Sequence, residues 1–347
     1  MARLTFADFV REQWSEIPPV ATADLAGKTV MVIGANTGLG FEASKHFARM
    51  NPKRLIMACR NHEKGEAAVE KLRSETGFEP VELWIIDLAK FSSVSEFASK
   101  FEKDGGRLDI LVQNAAAAPS IRQETSDGWE NAIQVNNLSL PLLALLLLPR
   151  MMQTGREHGT TSRLVVVTSE MHYWGKIENE VIESGDIFGT LSSEKYCTPK
   201  VMASRYHDSK LLNVFFLRGL NDRLPRTPGT IIVNGVNPGY CYSELRRDLS
   251  GIRAAVNWIM EYLLAHTTEE GSRQLVWAAV GGAEEGEELR GAYISCSEVR
   301  EVSDFVLTKD GMIAQDAIWD DMVKILVKID PRVQKTIDEY LTSGART

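Results

Sequence analysis

Apolar residues along this chain fall into two alternating patterns. Short unbroken runs at 29–33, 54–59, 81–86, 108–112, 164–167, 230–236 and 292–295 predict strands buried on both faces. Between them, longer stretches carry apolar residues at helical spacing, at about 39–50, 62–76, 91–103 and 129–152, and from a few residues before Tyr206 to Leu220. Strand and helix alternate throughout, which predicts an α/β fold: one doubly wound parallel sheet of about seven strands with helices on both faces. Outside that pattern, residues 4–15 (LTFADFVREQWS) predict a short amphipathic helix, followed by the linker IPPVATADLAG. The tail predicts helices near 316–328.

Two stretches between strands are less regular. Residues 170–200 are rich in Glu, Gly and Ser, yet they carry Ile177, Val181, Ile182, Ile187 and Phe188. A connection that long seldom stays structureless inside a domain. Residues 244–266 predict a helix or helix pair with an apolar side through Val256, Trp258, Ile259, Tyr262 and Leu263. Thr267 to Glu270 then reads as a capping box opening a helix to about Val280.

Composition narrows the class. The 347 residues are 44% hydrophobic and 25% charged, ordinary values for a globular protein with a large core. A formal charge of −8 argues against nucleic acid or an anionic membrane as the main partner. Cys59, Cys197, Cys241 and Cys296 stand far apart with no C-x-x-C pair, so they read as free thiols, with neither a disulfide framework nor a metal site. His46, His62 and His158 read as surface residues. The apolar run 138–149 is too short to span a bilayer and no leader pattern opens the chain, so a soluble, cytoplasmic protein is expected.

Candidate chemistry clusters at strand ends. The first strand runs into Gly34-Ala35-Asn36-Thr37-Gly38-Leu39-Gly40, with a helix directly after. Strand, glycine turn, helix is the setting in which backbone approaches a dinucleotide pyrophosphate and rests it on unpaired helix amides. The second strand ends in Cys59-Arg60-Asn61. An acid there would hold ribose hydroxyls and disfavour a 2′-phosphate; with Arg60 following Cys59 instead, NADP(H) is expected over NAD(H). Asp87, closing the third strand, is placed either to accept from an adenine amino group or to cap the next helix. Asn114 reads as tying strands together, and the alanines after it let a flat ring approach closely. Asn136 is an amide in an apolar helix, and its simplest role is to satisfy its neighbours. Ser169, ending a central strand, points into the crevice where open α/β sheets bind ligands. Tyr206 and Lys210 lie four apart on one helix face, and a fixed cation beside the phenol lowers its pKa toward neutrality. That makes Tyr206 a usable proton donor or acceptor.

In this order, Gly34-x-x-x-Gly38-x-Gly40, Asp87, Asn114-Ala115-Ala116, Asn136, Ser169, Tyr206-x-x-x-Lys210 and Pro238-Gly239-x-x-x-Ser243 make the chain similar to the short-chain dehydrogenases/reductases. The resemblance covers about residues 25–300. GANTGLG, ACRN, SKLLN and the extended front segment resemble retinol-dehydrogenase-like members, especially fungal ones found beside polyketide pathways. A run of alanines follows Asn114 where the family usually has Ala-Gly, and Ser243 stands where threonine is usual.

The resemblance implies a Rossmann-like fold and assigns roles. Tyr206 is implied as acid for ketone reduction or base for alcohol oxidation, and Lys210 as the group that lowers its pKa and binds the nicotinamide ribose. Ser169 is implied to polarise the substrate carbonyl, and Asn136 to hold a water that relays protons from Lys210. Implied cofactor contacts are Gly34, Asn36, Thr37, Gly38, Leu39, Gly40, Arg60, Asp87, Leu88, Asn114, Ala115, Tyr206, Lys210, Pro238, Gly239 and Ser243. The expected organisation is a helix and linker over 1–24, a dinucleotide-binding catalytic domain over 25–300, and a helical tail over 301–347 packed on the same domain. The expected activity is NADPH-dependent reduction of a hydrophobic ketone or aldehyde in secondary metabolism. NADP-linked alcohol oxidation is the alternative, and a cofactor-sensing binding protein a third reading. In compact members the leucine-rich helix and the Tyr206 helix make a dimer. Residues 170–200 are expected to cover that surface and wall the substrate pocket, which predicts a monomer, with a homodimer as the alternative.

Overall fold

Unbroken apolar strands need cover on both faces, and the sheet has it. The computed structural model describes residues 5–227, 230–243, 245, 251–282 and 286–342, with backbone alone at 251–257. In chain order, α1 (Phe6–Gln13) precedes β1 (Thr29–Ile33), α2 (Gly38–Arg49), β2 (Arg54–Cys59), α3 (His62–Thr76), β3 (Val81–Ile85), α4 (Phe91–Asp104) and β4 (Ile110–Gln113). A π-helical stretch, Ile133–Ser139, leads into α5 (Leu140–His158), and β5 (Arg163–Val167) follows. A 3₁₀ turn, Glu170–Trp174, and two short helices, α6 (Asn179–Ile182) and α7 (Ile187–Ser192), lead to α8 (Pro199–Arg223). Next come β6 (Ile232–Val236), α9 (Gly251–Leu264), α10 (Thr268–Val280), β7 (Tyr293–Ser295) and β8 (Glu298–Arg300). The tail adds α11 (Asp304–Leu307), α12 (Lys309–Ile329) and α13 (Arg332–Tyr340).

The strands form an eight-stranded sheet in the order β3-β2-β1-β4-β5-β6-β7-β8, parallel except for the β7–β8 pair. This is the α/β Rossmann-like architecture. Alternation along β1 builds both halves of the core: Met31 and Ile33 join residues of α4, α5 and α8, while Val30 and Val32 join residues of α2, α3 and α10. Strand order reverses between β1 and β4, which opens a crevice at the C-terminal strand ends.

The strand count exceeds the expectation of about seven. Cys296 and Ser297, at φ of 54° and 58°, make a two-residue turn that folds β8 back along β7. Helix α5 also differs: it starts at Leu140 after the π-helical stretch and runs through Pro149 to His158, where Gly159 at φ 61° ends it. Among the described residues this is the one helical stretch long and apolar enough to cross a membrane, and it is almost wholly buried, so it is a core helix. His46 is buried, with Nε2 3.0 Å from Glu269 Oε1, and is not a surface residue. The helix expected over 244–266 spans Gly251–Leu264; residues 244 and 246–250 and the Val256 side chain lie outside the described residues.

Within residues 170–200, Ile177, Val181, Ile187 and Phe188 are buried. Yet α5 and α8 are also overlaid by the tail, with α13 on α5 and α12 on α8. Trp319 of α12 stacks on Phe216 at 6.4 Å, and Arg223 pairs with Asp316 at 3.0 Å. Helix α7 is tied to α12 as well, since Phe188 N donates to Asp321 Oδ2 at 3.0 Å.

Candidate active site

The turn after β1 is shaped by contacts that admit no larger residue. Gly34 adopts φ 84°, and Asn114 Nδ2 donates to its carbonyl at 2.8 Å. A Cβ on Gly40 would lie 2.2 Å from Gly34 O and 2.6 Å from Asn114 Nδ2. Gly38, at φ 58°, faces open space. Thr37, the exposed N-cap of α2, makes no side-chain capping bond, which leaves the first-turn amides able to receive an anion. Asn36 and Leu39 are half-buried in the same turn. Asn114 N and Ala115 N both donate to Ile33 O, at 3.1 and 2.9 Å, so Asn114 ties β4 to the turn after β1. This neutral cradle fits the pyrophosphate of a dinucleotide.

The neighbouring strand ends carry the adenosine-side candidates. Arg60 is exposed directly after β2, next to Cys59, whose thiol pKa is raised by burial. Asp87 Oδ1 accepts from Ala89 N at 3.1 Å, Ser93 Oγ accepts from Asp87 N at 2.9 Å, and Leu88 beside it is buried.

At the other end, α8 lays the apolar stretch from Leu211 to Leu220 into the core. Upstream on the same helix, Tyr206 is half-buried and Lys210 wholly buried, with Nζ 5.3 Å from the Tyr206 ring centroid. The four-residue spacing therefore brings the two together. Lys210 Nζ donates to Val167 O at 2.8 Å, two residues before Ser169, and so pins the helix to the strand that bears the serine. Burial pushes the Lys210 ammonium down to about 7. A neutral carbonyl does not offset the lost hydration, so the ammonium holds its proton less tightly than a solvated lysine does.

Ser169 Oγ accepts from Met171 N at 3.2 Å, which leaves its hydroxyl hydrogen to donate. His172 Nδ1 lies 2.8 Å from Ser169 O, and its Nε2 accepts from Ser303 N at 3.2 Å. A carbonyl only accepts, so Nδ1 carries the proton; burial lowers the pKa of this ring to about 4 and keeps it neutral.

Asn136 is held by protein groups on both sides of its amide. Its Oδ1 accepts from Ala117 N at 2.8 Å, and Nδ2 donates to Ala117 O at 2.8 Å and Ser209 Oγ at 3.1 Å. With both amide hydrogens engaged, the side chain fastens the loop after β4 to α8. The π-helical stretch that carries it is a local departure from regular helix of the kind frequent at functional sites.

After β6, Pro238 is buried and Gly239 turns the chain at φ 79°. Asn237 Oδ1 accepts from Gly239 N, and Ser243, exposed, accepts on Oγ from Leu245 N, both at 3.1 Å. Sequence reasoning passed over His172, Asp208 and Ser209. Asp208 Oδ1 accepts from Lys176 N at 3.0 Å, and burial raises its carboxyl to about 6. Polar residues between Tyr206 and Lys210 were the available signal, since a solvated face would not interrupt so apolar a helix.

A glycine cradle on one side of the crevice and a Tyr–Lys pair with a serine on the other define a dinucleotide-dependent oxidoreductase. Comparison with known proteins narrows this. A family profile described as short chain dehydrogenase matches residues 28–179. The short chain dehydrogenase/reductase dmxR8 of Cryptosporiopsis is 33% identical, over 94% of this chain and 98% of its own. The short-chain dehydrogenase anuD of Penicillium roqueforti is 32% identical, over 96% and 86%. A short chain dehydrogenase from Shigella flexneri, solved in complex with NADP, has a TM-score of 0.58 at 20% identity over 79% of this chain and 99% of that one, a likeness of fold. The chain belongs to the short-chain dehydrogenase/reductase family, oxidoreductases that use NAD(P)(H).

Proposed function

We propose that the chain is an NADPH-dependent reductase of a hydrophobic ketone or aldehyde in fungal secondary metabolism. The observation that carries the cofactor choice is Arg60, exposed at the end of β2, with buried Cys59 where an acid would favour NAD(H). A 2′-phosphate beside that guanidinium gains a charge-assisted contact. The fungal relatives and the resemblance to members beside polyketide pathways support the metabolic setting.

When bound, the nicotinamide supplies the hydride to the carbonyl carbon. Ser169 Oγ donates a hydrogen bond to the carbonyl oxygen and favours the charge that develops there. Tyr206 Oη gives that oxygen its proton, and charged Lys210 favours the phenolate left behind. Asn136 holds the loop after β4 and α8 in register around them. Trp174 and Tyr242, each 43% exposed and close in sequence to Ser169 and Gly239, offer apolar surface to a hydrophobic substrate.

Steady-state reduction of a panel of aromatic and polyketide-like ketones and aldehydes with NADPH and NADH tests the reading. NADPH is the preferred donor, and Arg60→Ala weakens NADPH about ten- to a hundredfold while leaving NADH almost unchanged. Equal losses for both cofactors would remove Arg60 from the assignment, and no turnover of any carbonyl would remove the reductase.

A further inference from the structure

Helix α1 precedes the family match, yet it reaches the edge of the active site. Thr5 and Asp8 close a reciprocal cap at its start. Its buried face carries Phe9, which meets the Tyr240 ring edge-on at 6.2 Å, and Gln13, only 7% exposed. Gln13 Oε1 accepts from Tyr240 N at 3.2 Å. Two further ties hold the segment: Trp14 Nε1 donates to Leu263 O at 3.3 Å, and Arg273 Nη1 donates to Ile17 O and Pro18 O at 3.5 and 3.4 Å.

The loop beneath is otherwise held by residues of the sheet domain itself. Asn237 takes Gly239 N, and His266 exchanges backbone bonds with Tyr240 O at 2.9 Å and Tyr242 N at 3.1 Å. Gln13 comes from the front segment, and it satisfies an amide whose residue is buried. An apolar side chain at 13 would seal this helix face equally well but would remove the acceptor that Gln13 gives the Tyr240 amide. Sheet order says which half of the site this loop serves. β6 adjoins β5, whose end bears Ser169, while Arg60 and Asp87 follow β2 and β3 on the far side of β1.

We infer that α1 is a strap built into the chain that sets the loop from Pro238 to Ser243, and through it the nicotinamide end of the cofactor site, with Gln13 as the positioning residue. The inference rests on the proposed cofactor reading and adds a function for a segment outside the family match. It distinguishes the two halves of the cofactor: the strap acts on the nicotinamide half and leaves the adenosine half untouched.

Calorimetric titration of the full chain with NADPH and with 2′,5′-ADP, which carries the adenosine half alone, tests this. Gln13→Leu is expected to weaken NADPH about tenfold and lower kcat/KM similarly, with 2′,5′-ADP affinity unchanged. Gln13→Glu, which keeps an acceptor oxygen, restores most of the loss. Should Gln13→Leu not fold, Gln13→Asn withdraws the acceptor by one methylene and carries the same expectation. Unchanged NADPH affinity, or equal weakening of both ligands, would overturn the strap. A wild-type chain that binds neither ligand would overturn the cofactor reading itself.

Discussion

In the proposed reaction, the glycine turn after β1 and the Tyr206–Lys210 pair on α8 would act together by opposite physics. At the turn, neutral groups touch at close range: Asn114 Nδ2 on Gly34 O, and Gly40 against both. Nothing there titrates. At the pair, a lysine is buried against a single carbonyl and its pKa falls to about 7. The first site is fixed by shape and the second is poised by desolvation. They should therefore fail differently, one to a methyl group and the other to a proton.

The largest break is steric. Gly40→Ala places a methyl 2.2 Å from Gly34 O, backbone that cannot move without opening the turn. NADPH affinity should fall by about a hundredfold or more at every pH, on the scale of a severe overpacking cost. Retained affinity in a titration would mean that the turn yields and is not a rigid cradle.

The electrostatic break is smaller and carries a sign. Lys210 has a folded pKa of about 7 against the ordinary lysine value of 10.5, so between those values the unfolded chain binds more protons. Stability from this residue is complete above 10.5 and is lost as pH falls through 7. Lys210→Met keeps the volume and removes the charge. It should abolish turnover, raise unfolding free energy near pH 7 by about 1–4 kcal/mol, and flatten the rise in stability from pH 7 to 10.5. Denaturant melts at both ends of that window check it; a less stable Lys210→Met at pH 7 would show that the lysine is held as a satisfied cation.

The same contrast governs what could be read from the sequence. Shape-determined features were legible: the strand–glycine turn–helix order needs only residue size, and the Tyr206–Lys210 spacing needs only the helical repeat. Asn114 was legible as a strand tie for the same reason. Lys210's weak hold on its proton was not, because it depends on which atoms surround Nζ after folding. The protein partners of Asn136, Ala117 and Ser209, were not legible either, because they come from a distant loop and helix. Strand β8 was missed because Cys296-Ser297 makes a turn that usually announces itself with Asn-Gly or Asp-Gly. The tail over α5 and α8 and the reach of α1 to Tyr240 are contacts across long sequence distances, which local patterns do not record.

In the proposed reaction, Tyr206 supplies the proton while the cradle supplies the affinity. Measuring NADPH binding and carbonyl turnover side by side for the wild type and Tyr206→Phe tests it most directly. Tyr206→Phe is expected to bind NADPH nearly as well as the wild type and to turn over about 10²–10⁴-fold more slowly, since only the positioned acid is lost. A Tyr206→Phe chain that keeps more than about half the wild-type turnover would contradict it.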